Sequence, residues 1–395
     1  MARFRVGRMN IRFLPQRSDS AGRYSFEARH PMYQYEVPAV PTAITDLLKR
    51  YEKVVVVGMG GSVFSLKVLT DFFGLQSRVL FLDSVDPARL EHLPSAREAL
   101  YCVVSKSGET LEIRSLLAEL MVRRKMENFL IVTDPAKGWL RTQLSTWKFP
   151  SLEIPPELGG RFTNFTVFHR ALLERWGVQF ETLITSARSA IVALKKNPAP
   201  LAALYDQIFS EAKSGVVLWA YGDHFLGLAE WTQQILAESL GKKSSDGRRC
   251  GLLPTVLKGP QDQHSVLQLF MDGPQSQALW FFRREPAKDG KKRNVEKMPE
   301  NFKDLTGIVP EKVLGILAES TIASFEERLS SKETCQPLTD FQLVPKKEEE
   351  LGAILAMLQA FIEYSADRLK INAYDQPGVE RGKSIAREIL TRDSL

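Results

Sequence analysis

Val54-Val55-Val56-Val57-Gly58-Met59-Gly60-Gly61-Ser62 is the stretch that decides the fold. Four consecutive β-branched residues predict a short buried strand. The glycines predict a turn, and residues 63–73 predict a helix after it. The same order then repeats. Residues 79–82 read as a second strand ending at Asp83, and residues 100–104 as a third. Ser105-Lys106-Ser107-Gly108-Glu109-Thr110 follows, with a helix from about 110 to 126. Residues 129–132 make a fourth strand, closed by Thr133-Asp134-Pro135. Strands alternating with helices imply an α/β fold with a parallel sheet covered by helices on both faces.

The rhythm restarts after Lys195-Lys196-Asn197-Pro198-Ala199-Pro200, which marks a break. Residues 216–220 are expected as a strand, Tyr221-Gly222-Asp223 as a turn, 226–240 as a helix and 266–270 as another strand. The second half therefore reads as a second α/β unit, echoing the first in structure but not in sequence. Residues 283–304 are rich in charge and read as an exposed excursion. A long helix, about 346–369, precedes Asp375-Gln376-Pro377-Gly378-Val379-Glu380-Arg381-Gly382-Lys383. The expected organisation is an N-terminal arm (1–44), one unit (45–195), a second (200–370) and a tail (371–395) carrying Lys383.

Composition narrows the function. The chain has 395 residues, enough for two domains, and 44% apolar content supports a real core. It contains no run of about 18 apolar residues, so no membrane span is expected. A net charge of +6 is a mild excess that an anionic small substrate explains as well as nucleic acid does. Three scattered cysteines, Cys102, Cys250 and Cys335, fit a reducing compartment without a disulfide framework or metal spacing. Cys102 reads as a core residue. The first 23 residues carry Arg3, Arg5, Arg8, Arg12, Arg17 and Arg23 with one acid, Asp19. A transit peptide is one reading. A basic arm packing on the body is preferred, because Phe4, Val6, Ile11 and Phe13 leave a broken helical face.

Gly58–Ser62 joins a strand to a helix, where glycine lets backbone approach an anion and the helix N-terminus favours negative charge. A packing turn is the alternative. A dinucleotide fold is another, with Asp83 placed to meet a ribose, but its third glycine falls on Val63. Ser105, Ser107 and Thr110 offer hydroxyls at a helix start, which suits a phosphomonoester. Helix capping is the alternative. Two such loops on adjacent units favour phosphate.

Gln234 and Glu238 lie four apart and share a helix face, with Trp231 and Ile235 turned inward. Glu238 sits in the last turn before Gly241, against the helix dipole, which favours a proton-accepting role. A surface glutamate paired with Lys242 or Lys243 is the alternative. His264 stands on a polar turn before an apolar run, where a site histidine or a plain surface histidine is placed. Arg161 follows Gly159-Gly160, and its fork suits an oxyanion or a structural salt bridge. Together the serine loop, Glu238 and Lys383 point to an aldose–ketose isomerase.

The ordered set resembles the phosphoglucose isomerase family from Gly58 to Lys383. The matches are Gly58–Ser62, Ser105–Thr110, Gly159-Gly160-Arg161-Phe162, the segment 234–242, Gln263-His264 and the segment 375–383. The resemblance implies two sugar-isomerase (SIS) domains, each a parallel sheet flanked by helices, with a C-terminal helical tail. It implies interconversion of glucose 6-phosphate and fructose 6-phosphate, in glycolysis and gluconeogenesis, in the cytoplasm. Gly61, Ser62, Ser105, Lys106, Ser107 and Thr110 match phosphate positions. Gln234 and Gln376 match substrate contacts. Glu238 matches the base that shuttles a proton between C1 and C2, and Arg161 the group facing the cis-enediol(ate). His264 and Lys383 match ring-opening residues, His264 reaching the site from the other subunit of a homodimer. The partner implied is a sugar phosphate, with no metal, redox cofactor, nucleic acid or membrane. A non-catalytic SIS module that binds a sugar phosphate is the rival reading, and the presence of all four chemical residues argues against it. The chain is short for the family and departs at Glu109, a carboxylate beside the expected phosphate. It must point away or pair with Arg or Lys.

Overall fold

The structure, a computed structural model, describes residues 2–14, 25–95, 97–123, 127–209, 213–286, 299–330 and 336–393. The chain opens with a hairpin of β1 (Ala2–Val6) and β2 (Met9–Leu14). A five-stranded parallel sheet follows from β3 (Lys53–Gly58), β4 (Val79–Leu82), β5 (Ala99–Val104), β6 (Phe129–Thr133) and β7 (Ser151–Glu153), ordered β4-β3-β5-β6-β7. The second sheet adds β8 (Gly215–Tyr221), β9 (Leu253–Gly259), β10 (Gln277–Arg284) and β11 (Leu338–Leu343). Its order is β1-β2-β11-β10-β8-β9, with β8 to β11 mutually parallel and β2 antiparallel to β11. This is the expected α/β architecture of helix-flanked parallel sheets, and a helix, Pro377–Asp393, lies near the C-terminal end.

The valine run explains itself. Val54 and Val56 pack in the core shared with the helix Gly61–Phe73, whereas Val55 and Val57 face Ile113, Leu116, Leu117 and Leu140 on the other side. A parallel strand covered on both faces has no polar side to show. Cys102 is fully buried in β5, as expected of a small core residue.

The two sheets meet through helices. Gly61–Phe73 lies against the helix Leu226–Leu240, which also packs on β8 and β9. The approach is close, since a Cβ at Gly227 would lie 2.7 Å from the carbonyl oxygen of Lys67. The helix Phe180–Lys196 runs along the long helix Glu348–Leu369, whose middle is buried throughout. No helix among the described residues is long and apolar enough to cross a membrane.

Three expectations change. Residues 266–270 are not a strand: they enter a helix, Leu267–Asp272, after a 3₁₀ turn, Gln261–His264. A short apolar run without a clear period serves either element. The charged stretch 283–304 does not begin as an exposed excursion. Arg283, next to last in β10, is almost fully buried and paired with Asp340 at 2.8 Å, and residues 287–298 lie outside the described set. The helix expected over 110–126 runs Leu111–Leu117 and continues as a π-helical turn, Ala118–Arg123, with 124–126 outside the described residues. Arg17, Asp19, Arg23 and Cys335 also lie outside them.

Candidate active site

Two loops stand at the carboxyl ends of neighbouring strands. After β3 the chain turns through Gly60, at φ 55°, into the helix beginning at Gly61 and Ser62. A Cβ on Gly61 would lie 2.4 Å from both the Gly160 carbonyl carbon and the Arg161 nitrogen, so only glycine fits there. After β5 comes the serine loop. The Ser105 Oγ accepts from the Gly108 N–H at 3.0 Å, and the Ser107 Oγ accepts from the Glu109 N–H at 3.2 Å. Thr110 occupies the N-cap position, yet its hydroxyl makes no capping bond. Lys106 turns away from the loop and donates to the carbonyls of Pro156 and Leu158 at 2.6 and 3.2 Å. It thereby tethers the segment leading into Gly159-Gly160-Arg161. Glu109 pairs with Arg387 of the C-terminal helix at 3.6 Å, as the charge argument requires.

Arg161 is the centre of the arrangement, although its side chain is only 2% exposed. Its Nε donates to the Ser239 Oγ at 2.9 Å and its Nη1 to Glu238 Oε2 at 3.3 Å. Its Nη2 donates to the carbonyls of Ala373 and Asp375, at 2.5 and 3.3 Å. A guanidinium has five N–H donors, so one N–H on Nη1 has no acceptor among the described residues. Burial pulls the Arg161 pKa below its ordinary value, while Glu238 and Asp375 oppose the shift. Trp231 and Ile235 are buried as expected, and the Trp231 ring N–H donates to the Arg161 carbonyl at 2.9 Å.

Glu238 receives donors at both oxygens. Gln234 Nε2 reaches Oε1 at 3.2 Å and Gln376 Nε2 reaches Oε2 at 2.7 Å, the same oxygen Arg161 approaches. Its side chain remains about one-third exposed, so a solute has access. The alternative partner does not engage it: Lys242 pairs with Asp375 at 2.6 Å instead. Arg161, Gln234, Glu238 and Gln376 thus form one cluster, with Gly60 and Gly61 beside it.

Two expected members stand apart. His264 is exposed at the end of its 3₁₀ turn, and its ring makes no hydrogen bond to any described residue. Its neighbour Gln263 holds the turn to the helix Pro310–Ser330 through the Leu317 carbonyl at 3.3 Å. Lys383 pairs with Glu380 at 2.7 Å on its own helix, and both are exposed.

The sequence reading missed a buried polar scaffold behind Arg161. His169 bonds Ser65 Oγ through Nε2 at 3.2 Å and Thr166 Oγ1 through Nδ1 at 2.7 Å. Thr163 Oγ1 bridges Ser65 and the Gly160 carbonyl, at 3.2 and 2.7 Å. Burial pushes the His169 pKa down to about 3, so the ring is neutral. His30 was missed as well. It packs 4.9 Å from the rings of Phe162 and Tyr374, and burial together with the Arg161 charge pushes its pKa down to about 4. The polar run Thr163-Asn164-Phe165-Thr166, directly after Arg161-Phe162, was the available signal.

Comparison with known proteins gives a consistent outcome. A family model described as phosphoglucose isomerase matches residues 188–394. A glucose-6-phosphate isomerase of Campylobacter jejuni is 30% identical, over 87% of this chain and 86% of that one. A glucose-6-phosphate isomerase of Carboxydothermus hydrogenoformans is 28% identical, over 91% of this chain and 83% of its own length. The crystal structure of a glucose-6-phosphate isomerase from Chlamydia trachomatis superimposes with a TM-score of 0.71 at 19% identity, covering 89% of this chain and 72% of that chain. At that identity the likeness is one of fold.

Proposed function

Because the chain belongs to the phosphoglucose isomerase family, we propose that it interconverts glucose 6-phosphate and fructose 6-phosphate. The observation that carries the reading is the Glu238 carboxylate, oriented by Gln234, Gln376 and Arg161 and still open to a solute. Isomerisation removes a proton alpha to a carbonyl and returns it to the adjacent carbon, and one carboxylate on one face performs both steps. The enediolate carries charge on oxygen. The unused N–H on Arg161 Nη1 is the donor for it, and it acts from a site where burial strengthens the interaction.

The serine loop takes the phosphate, with Ser105, Ser107 and Thr110 supplying hydroxyls and Ser62 the adjacent helix start. Lys106 serves by fixing the Arg161 segment as well as by its charge. Gln234 and Gln376 divide their amides between Glu238 and the sugar. His264 and Lys383 open the ring. In this reading His264 of a second copy completes the site, the working unit is a homodimer, and the enzyme acts in the cytoplasm without a redox cofactor or metal.

The test is a coupled assay with purified protein in both directions, with and without a chelator. Turnover of both hexose phosphates that survives chelation is the expected result. Loss with the chelator and return with a divalent ion would overturn the metal-free mechanism.

A further inference from the structure

Gln376 can orient Glu238 only if the turn before it is held, and Lys242 is one of two side-chain cations that hold that turn. The Lys242 backbone is itself fixed. Its carbonyl accepts from the Cys250 N–H at 2.7 Å, and its N–H donates to the Leu240 carbonyl at 2.9 Å. From that point the ammonium reaches the turn just before Gln376. It donates to the Asn372 carbonyl at 2.5 Å, the Asp375 carbonyl at 2.5 Å and Asp375 Oδ1 at 2.6 Å. An ammonium has three donors, and all three are spent on this turn. The Lys242 side chain is 8% exposed, whereas Asp375 is half exposed, so the cation is the buried member of the pair.

The turn closes on itself too. Asn372 Nδ2 donates to Asp375 Oδ2 at 3.1 Å, and the Tyr374 N–H donates to Asn372 Oδ1 at 3.0 Å. Arg161 grips the same turn through the Ala373 and Asp375 carbonyls, the second of which it shares with Lys242. Gln376 comes next, then Pro377, which starts the last helix and holds Gln376 to extended geometry. The position of the Gln376 amide is therefore set by the turn before it.

We propose that Lys242 is a positioning residue for the isomerisation proposed above: by clamping residues 372–375 it holds the Gln376 amide against Glu238. It touches neither Glu238 nor any atom that reacts. The two cations reach the turn from different elements, Arg161 from the segment after the first sheet and Lys242 from the end of the Leu226–Leu240 helix. Arg161 also serves Glu238 directly, so Lys242 is the contact that isolates the clamp from the chemistry.

The experiment compares wild type, Lys242→Met, Lys242→Arg, Gln376→Leu and the Lys242→Met/Gln376→Leu double variant. It reads kcat, KM and backbone amide exchange over residues 372–376. Lys242→Met is expected to lower kcat on the order of 10–100-fold, the scale of a small misplacement near a reacting group, with KM within about threefold. In the Gln376→Leu background the same change should cost less than roughly twofold more, because both lesions act through one amide. Lys242→Arg should recover much of the loss and bring exchange back toward wild type. Losses that multiply in the double variant, or a Lys242→Met kcat equal to wild type, would overturn the proposal. Since the inference rests on the isomerase reading, wild type is the separating control. If wild type does not turn over the hexose phosphates, that reading fails. The clamp is then judged on exchange alone, which must speed up over 372–376 in Lys242→Met or the inference falls too.

Discussion

The side-chain amide of Gln376 donates to Glu238 at 2.7 Å across 138 residues of sequence. The candidate proton carrier lies on one helix and its orienting amide near the start of another. Neither segment makes a site alone. Arg161, bonded to both, ties the end of the first sheet's segment to that junction.

Glu238→Gln should lower kcat on the order of 100- to 10,000-fold, the contribution of a positioned general base. Binding of a non-reacting sugar-phosphate analogue should stay near wild type, since the amide keeps the shape. Steady-state kinetics with calorimetric titration of the analogue check both halves. Turnover above about a tenth of wild type would remove Glu238 from the chemistry.

Thr110 and Ser105 should separate. The Thr110 hydroxyl makes no capping bond, so Thr110→Ala should leave the melting temperature unchanged. Its KM should rise roughly tenfold, the value of one hydrogen bond to a charged group. Ser105 also accepts from Gly108 at 3.0 Å, so Ser105→Ala should raise KM and also destabilise the fold by about 1 kcal/mol. A Thr110→Ala protein with wild-type KM would return this loop to a purely structural role.

Stability should fall on the acid side through His169. Burial holds its folded pKa at about 3, against an ordinary value of 6.5. The unfolded chain therefore binds the proton first, and stability present above pH 6.5 drains away as pH falls toward 3. Between pH 7.5 and 5 the loss from this group is about 2 kcal/mol. Urea unfolding at the two pH values measures it. In His169→Gln, whatever its baseline stability, the difference between the two should shrink by about that amount. An unchanged difference would show that His169 is not held neutral by the fold.

Glu238→Gln and His264→Ala, each nearly inactive alone, should complement when unfolded and refolded together. Random pairing makes about half the dimers mixed, each with one doubly altered site and one intact, so activity should return to roughly a quarter of wild type. A mixture no better than its parts, with mixed dimers demonstrated, would place each site within one chain.

Much of the first half was legible because buried parallel strands carry unbroken apolar runs bounded by glycine and serine. The strands around Val54, Val79, Tyr101 and Leu130 lie within a residue or two of expectation, and the helix Leu226–Leu240 was read to its ends. The second sheet was harder. β11 carries the buried carboxylate of Asp340, satisfied by Arg12 at 2.7 Å and Arg283 at 2.8 Å. A strand with a charge at its centre does not read as core until its partners are in place, and those come from β2 and β10. The same pairing kept the hairpin from view, because Arg12 is only one of several arginines in the basic arm until Asp340 is beside it. At the site, the residue types were visible and the contacts were not. Nothing in the local sequence joins Arg161 to the Ala373 carbonyl, or turns Lys242 from Glu238 to Asp375.

The hairpin at the edge of the second sheet also sets an order of events. Arg12 and Asp340 are paired although 328 residues separate them. Ribosomes add about 5–20 residues per second, so β2 waits roughly 15 to 65 s for β11 to be made. Throughout that interval the edge of β2 that β11 will take, on a strand carrying Ile, Phe and Leu, has no partner, the kind of edge on which nascent chains aggregate. Arg3, Arg5 and Arg12 place positive charge along the waiting hairpin and repel a second copy. Replacing Arg12 by an apolar residue thus endangers the nascent chain long before Asp340 exists to miss it.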